Sequence, residues 1–260
     1  MWAAESPGAR VTFLETGRPA AITSGRPECL LSGTKAWCSG ARHLDRALLT
    51  VWQPDGKRPF LAEVDLHQDG VTFDPSHWHA VGMAASDSQD VRFENVPATV
   101  LGDEGFYLAR PGFWQGGAGI AVCWHGAACA LAGALRSHAH GLARERREPG
   151  PHHLLGLGAI DVVLSSNAAL LREAAAWMDT HPRGAAKALA LRVRGAAEAA
   201  AEHVVHHATR ALGATALCRD AWFARMVADL PVFTRQSHGD RDLMALGSET
   251  LQAGDLPWAL

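Results

Sequence analysis

The 260-residue sequence predicts an α+β protein, with an antiparallel, barrel-like β-domain over residues 1–112 and an antiparallel four-helix bundle over residues 113–260. Two observations predict this division. Short runs rich in β-branched and aromatic residues fill the first half, whereas long helix-forming stretches fill the second. Alanine follows the same boundary, because 34 of its 48 occurrences lie at residue 113 or later.

The β-domain is predicted from strand-like runs, which include Arg10 to Glu15, Arg46 to Gln53, Arg58 to Asp65 and Gln89 to Val96. Turn-forming residues separate these runs, as at Pro54-Asp55-Gly56 and Asp69-Gly70. Short strands joined by such turns are typical of an antiparallel sheet. We therefore expect an antiparallel sheet or barrel in this half.

The helical half contains long helix-forming stretches near residues 113–145, 152–179, 183–211 and 219–247. Pro149-Gly150-Pro151 and His181-Pro182 predict breaks, and Gly213 predicts a stop. Pro231 predicts a kink or a split in the last stretch. Long antiparallel helices with short loops form bundles, and alanine-rich faces bury little area each. We therefore expect a homodimer or homotetramer that assembles through this half.

The charge balance argues against a nucleic-acid partner. Lys and Arg number 24 against 27 Asp and Glu, a formal net charge of −3, so no basic excess exists to displace phosphate counterions. Histidine is abundant, and His203 could share a helix face with His206 or His207. No cysteine or acidic set stands at matching spacing, so we predict no metal site.

The sequence favours a cytoplasmic protein. The first residues, MWAAESPGAR, contain neither the basic nor the apolar region of a secretory signal. The five cysteines are scattered without a C-x-x-C pair, which is typical of free thiols in a reducing compartment. Pro111 to Leu135 is uncharged and long enough to cross a bilayer. Its glycines, its alanines and His125 instead favour a buried bundle helix, so we expect no membrane span.

General catalytic signatures are absent, but several short motifs follow one another in a specific order. In chain order they are Trp2-Ala3-Ala4-Glu5-x-Pro7, Gly33-x-Lys35-x-Trp37-Cys38-Ser39-Gly40-Ala41, Gly82-Met83-x-Ala85-Ser86-x-Ser88, Val91-x-Phe93-Glu94-x-Val96-Pro97 with Leu101-Gly102, Ala208 to Leu217, and Arg225-Met226-Val227-Ala228-Asp229. This order resembles the acyl-CoA dehydrogenase superfamily. That family has G-x-K-x-W-I-T-N and F-x-x-V-x-V-P segments in its middle β-domain, and A-x-Q-x-x-G-G-x-G-Y and R-x-x-R-D segments in its closing helical domain.

The resemblance implies an FAD cofactor between the two halves. Trp37 and Ser39 stand where the family's strand contacts the flavin, and an indole suits flat packing against an isoalloxazine ring. Two residues apart on a strand, they are expected to point to the same side. The alternative for Trp37 is an ordinary core aromatic.

Two further sites come from the same resemblance. Glu5 and Ser6 lie in a stretch like the family's loop that holds flavin and substrate, although an ordinary turn is the alternative. Arg144 stands where the family places an arginine that reaches the cofactor pyrophosphate of a neighbouring subunit. A cation there would equally balance the dipole at a helix C-terminus.

The sequence departs from the family pattern in three places. The family's N-terminal helical domain is missing, so a separate chain could supply it. Its Gln-x-x-Gly-Gly-x-Gly segment becomes Arg210-x-x-Gly213-Ala214-x-Ala216. Its proton-abstracting Glu is replaced by Ser237, with His238 adjacent, and the first long helix offers no acidic substitute. Since a base is needed at the α-proton, His238 is the candidate, with Ser237 beside it. The alternative for this segment is a solvated helix end capped by Ser237 or Asp240.

The expected function is an FAD-dependent oxidoreductase acting on the CH–CH group of an acyl thioester or a related small molecule. Two alternatives remain open. The chain could be a non-catalytic or partner-completed assembly protein of the same fold. It could also be a flavin monooxygenase of this superfamily, since a histidine near this position is reminiscent of those enzymes.

Overall fold

The computed structural model describes residues 9–13, 28–54, 56–254 and 258. Their contacts divide them into two compact units. The first unit runs to Arg110, and the second begins at Pro111. Val81–Met83 also belong to the second unit, although they fall within the sequence of the first.

The first unit is one antiparallel sheet, which confirms the predicted β-domain fold. Its strands are β1 (Ala9–Phe13), β2 (Glu28–Ser39), β3 (Arg46–Val51), β4 (Phe60–Asp65), β5 (Val71–Asp74) and β6 (Ser88–Leu101). The order is β1-β2-β6-β4-β3, and β5 also pairs with β6. The long strand β6 therefore holds the sheet together, because it pairs with β2, β4 and β5.

One face of this sheet forms the core of the first unit. Alternate residues of the strands point to this face, as the period of a β-strand requires. The fully or almost fully buried side chains include Leu31, Leu49, Val51, Phe93 and Val96. The opposite face of β2 is therefore free to present other side chains.

The second unit is a helical bundle, again as predicted. A short helix, α1 (Phe106–Ala109), ends the first unit. The bundle contains α2 (Gly112–Arg144), α3 (Pro151–Thr180), α4 (Lys187–Arg219), α5 (Ala221–Thr234) and α6 (Asp240–Gln252). Helix α4 is central, since it contacts α2, α3, α5 and α6. Trp124, Leu131 and Leu135 of α2 are fully buried in the bundle.

The last predicted helix, 219–247, is in fact two helices, α5 and α6. Pro231 does not cause the split, because it lies inside α5, which continues to Thr234. The break falls at residues 235–239 and ends at Gly239, whose φ of 50° is left-handed. The predicted stop at Gly213 is confirmed as a break, because Gly213 has a non-helical backbone with φ 65°. Two helical segments meet there at a kink, and both are included in α4, which ends at Arg219.

Helices α2 and α3 have extensive apolar outer surfaces. By length and composition alone, each could cross a membrane, although both pack in the bundle. Exposed apolar side chains on these two helices include Val122, Leu154, Leu155 and Val162. Exposed apolar side chains that gather into a patch are a feature of interaction sites.

Candidate functional site

Trp37 lies at a β-bulge in β2. Lys35 pairs with Val91 and Cys38 pairs with Gln89, so two residues of β2 oppose a single residue of β6. At this bulge Trp37 takes φ 62°, a left-handed conformation that is unusual for a large side chain. Its indole is 62% exposed, so Trp37 is not a core aromatic.

The exposed face of β2 combines this indole with a hydroxyl. Ser39 is exposed like Trp37, and Cys38 between them is fully buried. The two predicted residues therefore share one side of the strand. A second indole, Trp78, meets Trp37 edge to face, with ring centroids 6.3 Å apart and planes at 88°.

Ser39 belongs to a chain of three hydroxyls. Its Oγ lies 2.6 Å from Ser88 Oγ, which lies 2.8 Å from Ser86 Oγ. The backbone N–H of Gly40 donates to the carbonyl of Ser86 at 2.9 Å and fixes the two segments together. Hydroxyls linked in this way polarise one another, so the chain orients the Ser39 hydroxyl and strengthens it as a donor or acceptor.

An ion pair stabilises the turn that carries these serines. Asp87 lies between Ser86 and Ser88, and its carboxylate accepts hydrogen bonds from Gln89 and from Arg42 Nε, the latter at 3.1 Å. Bonding from Gln89, followed by the Arg42 guanidinium, lowers the pKa of Asp87. The turn is therefore anchored to β6 and to the segment that follows β2.

The buried side of β2 carries no reactive thiol. Burial raises the pKa of Cys38 to about 12, and its Sγ donates to the carbonyl of Lys35 at 3.2 Å. Lys35 is fully buried, and desolvation lowers the pKa of its ammonium. Both residues support the strand from inside, whereas Trp37 and Ser39 face outward.

Ser237 and His238 lie in the connection between α5 and α6. The carboxylate of Asp242 organises this connection. Its Oδ2 accepts a hydrogen bond from Ser237 Oγ at 3.1 Å and from the backbone N–H of His238 at 3.4 Å. His238 Nδ1 lies 3.9 Å from Asp242 Oδ1, and the imidazole is 40% exposed. Ser237 is therefore a hydrogen-bond partner of Asp242, and the His238 imidazole lies near the same carboxylate.

Asp242 is itself paired with a cation from the central helix. Arg194 Nη2 lies 3.5 Å from Asp242 Oδ2, and both side chains are largely buried. The same guanidinium lies over the ring of Trp124, 5.5 Å from its centroid. The Asp242 carboxylate therefore ties the connection that holds His238 to the bundle core. Arg235, at the start of the same connection, also pairs with Glu198 and Glu202 of α4.

Of the remaining predicted residues, the structure describes Arg144. Arg144 is the last residue of α2 and is exposed, which is compatible with a dipole role as well as an anion-binding one. Glu5 and Ser6 lie outside the described residues. Trp37 and Ser39 belong to one unit, and Ser237, His238 and Arg144 belong to the other.

Sequence reasoning did not assign a role to Ser88, Trp78 or Asp242. Ser86 and Ser88 lie in a motif that carries the family resemblance, so their spacing was a usable signal. Asp242 lies four residues after His238, which is one helical turn. Nothing in the sequence marked Trp78 as a partner of Trp37.

Comparison with known proteins gives similarity in structure only. No family model matches the sequence, and no curated protein matches it. Among solved structures, the chain is similar to the dibenzothiophene monooxygenase TdsC from Paenibacillus sp. A11-2, with 20% identity and a TM-score of 0.72. The match covers 90% of this chain and 66% of that one. TdsC has also been solved with FMN and indole.

Acyl-CoA dehydrogenases show the same similarity. The butyryl-CoA dehydrogenase from Megasphaera elsdenii has 17% identity and a TM-score of 0.72, covering 86% of this chain and 61% of that one. An acyl-CoA dehydrogenase from Geobacillus kaustophilus has 15% identity and a TM-score of 0.74, covering 87% and 62%.

These matches confirm, at the level of the fold, the resemblance that the motif order indicated. The chain has the acyl-CoA dehydrogenase fold over nearly all its length and spans just under two thirds of the length of these proteins.

Proposed function

We propose that this chain, which has the fold of acyl-CoA dehydrogenases, is a flavin-dependent oxidoreductase. The observation that carries the proposal is the outward face of β2, where a strained bulge exposes the indole of Trp37 beside the hydroxyl of Ser39. A tryptophan held at positive φ lowers the free energy of unfolding, and an exposed indole adds no core packing to offset this. Such strain is typical of functional sites.

The residues of this face fit a flavin. The indole of Trp37 offers a flat apolar surface, with the edge of Trp78 next to it. Ser39 offers a hydroxyl whose orientation is fixed through Ser88. A bound flavin would supply hydride acceptance and return, which no amino-acid side chain can perform. The chain's own contribution is to bind the ring by stacking and to hydrogen-bond its polar edge through Ser39.

FAD is the flavin implied by the family resemblance, and FMN is the alternative. The segment Arg210 to Ala216 replaces two of the family's glycines with Ala214 and Ala216, which restricts close backbone approach to a nucleotide. Two of the structural neighbours, TdsC and KijD3, were solved with FMN. Parallel titrations with FAD and FMN would decide between them.

His238 is proposed as the proton acceptor. Its imidazole is partly exposed, and the carboxylate of Asp242 lies on its Nδ1 side. A carboxylate there favours the proton on Nδ1, so Nε2 is the nitrogen that we propose accepts a proton from a substrate. Ser237 donates to Asp242 and so acts as a positioning residue.

Flavin binding is tested by titrating the folded protein and following flavin fluorescence. Trp37→Ala should weaken binding by about 1–3 kcal/mol, because the stacking surface is lost. Trp222→Ala is the matched control, since it removes an exposed indole from α5 and should leave affinity unchanged. If neither FAD nor FMN binds below millimolar concentration while circular dichroism reports a folded chain, the proposal is wrong.

The proposed substrate is an acyl thioester or a related small molecule. Since no glutamate stands at the family's position, saturated acyl-CoA thioesters should react slowly even with flavin bound. Flavin bleaching on mixing with butyryl-CoA or octanoyl-CoA measures this step. Fast bleaching that His238→Ala leaves unchanged would place the base elsewhere.

A flavin monooxygenase is the second candidate. It is supported by the pairing of Ser237 and His238 in place of a carboxylate and by the similarity to TdsC, a dibenzothiophene monooxygenase. Oxygen uptake by the reduced, flavin-loaded protein without bleaching by any acyl thioester would favour this function. If neither activity appears, a non-catalytic or partner-completed assembly of the same fold is favoured.

We further propose that the chain assembles in the cytoplasm as a homodimer or homotetramer, or with a separate chain that supplies a further domain. The apolar outer surfaces of α2 and α3, which include Val122, Leu155 and Val162, support assembly. Light scattering should report at least twice 27.7 kDa. A stable monomer at micromolar concentration would contradict assembly with itself.

A further inference from the structure

A thiol, an imidazole and an amide meet where α2 packs against α3, within the helical unit. Cys129 Sγ lies 3.4 Å from His125 Nε2, one helical turn earlier on α2. His125 Nδ1 lies 3.0 Å from the side-chain amide of Asn167 on α3. The proposed flavin function uses none of these three residues.

The orientation of the Asn167 amide decides which nitrogen of His125 carries the proton. Asn167 is only 4% exposed, and its Oδ1 is buried without a hydrogen-bond partner when Nδ2 faces the imidazole. The amide oxygen and nitrogen have the same shape, so rotating the amide by half a turn places Oδ1 against Nδ1 instead. This orientation requires a proton on Nδ1, and it leaves Nδ2 instead of Oδ1 as the buried amide atom without a protein partner. His125 Nε2 then has a free lone pair directed at Cys129.

The protonation states of the pair favour base assistance over a preformed thiolate. Burial, followed by the charge of Arg172 on α3, lowers the pKa of His125, so its imidazole is neutral at neutral pH. Burial raises the pKa of Cys129, so the thiol keeps its proton. The Cys129 side chain is nevertheless exposed, so a reagent from solvent can reach the sulfur.

We propose that Cys129 is a reactive thiol that exchanges with small disulfides, with His125 as its base and Asn167 as the positioning residue. The Cys129 sulfur attacks one sulfur of the disulfide, and its proton passes to His125 Nε2. The original S–S bond breaks as the new one forms. The leaving sulfur takes the proton back from His125 and departs as a thiol. One disulfide is consumed and one mixed disulfide is formed, so Cys129 is oxidised and the leaving group is reduced.

The chain contains two reference thiols for the test. Cys123 on α2 and Cys218 on α4 are also exposed, and in the described part of the chain neither has a histidine partner. The full-length protein is treated with the aromatic disulfide 5,5′-dithiobis(2-nitrobenzoate), and peptide mass spectrometry assigns the rate to each cysteine. At pH 7 Cys129 should react about tenfold faster than either reference, because an ordinary thiol of pKa about 8.5 is only a few per cent thiolate there.

The pH profile separates base assistance from simple exposure. A thiol that reacts only as its thiolate gains about tenfold in rate for each pH unit below its pKa. Cys129 should instead give a nearly flat rate above the lowered pKa of His125, because the neutral imidazole is already present to accept the proton. A Cys129 rate that rises in parallel with the reference thiols would overturn the proposal without any substitution.

Substitutions sharpen the test. His125→Ala should reduce the Cys129 rate to that of Cys218, and Asn167→Leu should reduce it partly, because the tautomer is no longer fixed. Cys123→Ser is the control and should leave the Cys129 rate unchanged. Equal rates for the three exposed thiols, protection of Cys129, or a Cys129 rate that His125→Ala leaves unchanged would each overturn the assignment.

Discussion

Two polar regions of the molecule are held in place by different means. In the sheet unit, Trp37 and Ser39 are fixed by backbone pairing of β2 with β6 and by the Ser39–Ser88–Ser86 chain. In the helical unit, Ser237 and His238 lie in an irregular connection and depend on the carboxylate of Asp242. The first region is held mainly by backbone pairing, whereas the second depends on ion pairs, those of Asp242 with Arg194 and of Arg235 with Glu198 and Glu202.

Because of this difference, substitutions should have different effects in the face around Trp37 and in the α5–α6 connection. Losing one hydroxyl of the serine chain leaves the strand pairing intact, so the face around Trp37 should persist. Losing the Asp242 carboxylate leaves Ser237 and the His238 backbone unsatisfied and leaves Arg194 buried without its counter-ion. We therefore expect function and stability to be separable in the sheet unit and coupled in the α5–α6 connection.

The largest expected effect is on turnover. With whichever acyl thioester or oxygen reaction the flavin-loaded protein supports, His238→Ala should reduce the rate by about 10²–10⁴-fold, since general-base assistance is lost. Flavin affinity should stay within twofold. Ser237→Ala is the matched control and should cost tenfold or less, because its hydroxyl acts through Asp242. Equal losses from the two substitutions would remove the distinction between base and positioning residue.

The next effect is on stability. Asp242→Ala should lower the free energy of unfolding by about 2 kcal/mol, because a largely buried ion pair with Arg194 is broken. Asp240→Ala, in the same first turn of α6 but exposed, should cost less than about 1 kcal/mol. Urea unfolding followed by circular dichroism measures both. If Asp242→Ala unfolds at the same urea concentration as wild type, the ion pair with Arg194 does not contribute to stability.

A smaller effect separates the two hydroxyls of the sheet face. Ser39→Ala should weaken flavin binding by about 1 kcal/mol, the usual contribution of one hydrogen bond. Ser88→Ala should weaken it by less, since Ser88 acts only by orienting Ser39. Affinity measured by fluorescence titration compares them. A larger loss for Ser88→Ala would mean that Ser88 itself contacts the ligand.

The smallest expected effect is a difference in acid sensitivity between the units. Burial lowers the pKa of His153 and His207 in the bundle, so their contribution to stability is present above the unfolded value of about 6.5 and is lost as the pH falls below it. In the sheet unit Asp74 and Asp87 have lowered pKa values, so their contribution is lost only below about pH 4.

Thermal unfolding between pH 7 and pH 5 tests this difference. His153→Gln should flatten the decline over that range, whereas His67→Gln, on the sheet unit and exposed, should not. A decline that begins only below pH 4.5 would mean that the bundle histidines are not buried in solution.

The sequence was sufficient for the architecture because periodicity and turn residues are local signals. The same-side placement of Trp37 and Ser39 followed from the two-residue period of a strand. The bulge did not, because Ala36-Trp37 contains neither glycine nor asparagine to mark a left-handed residue. The resulting outward presentation of the indole depends on pairing with β6, which is a tertiary property.

The helical site was predicted only in part for a similar reason. His238 could be singled out from the resemblance, but Ser237 and Asp240 were equally plausible caps. The structure assigns the main role to Asp242, whose partner Arg194 lies 48 positions earlier in the chain. Pro231 misled the prediction of the break, since a proline near a helix C-terminus removes one hydrogen bond and leaves the last turn intact.

The left-handed conformation of Trp37 lowers the thermal stability of the chain, whereas its indole favours flavin binding. A non-glycine residue held there costs about 1–3 kcal/mol, and glycine carries no such penalty. Trp37→Gly should therefore raise the melting temperature while it removes the stacking surface. Laboratory evolution of this chain for thermal stability alone should replace Trp37 early. Selection that also requires bound flavin, seen as a yellow colour, should retain it.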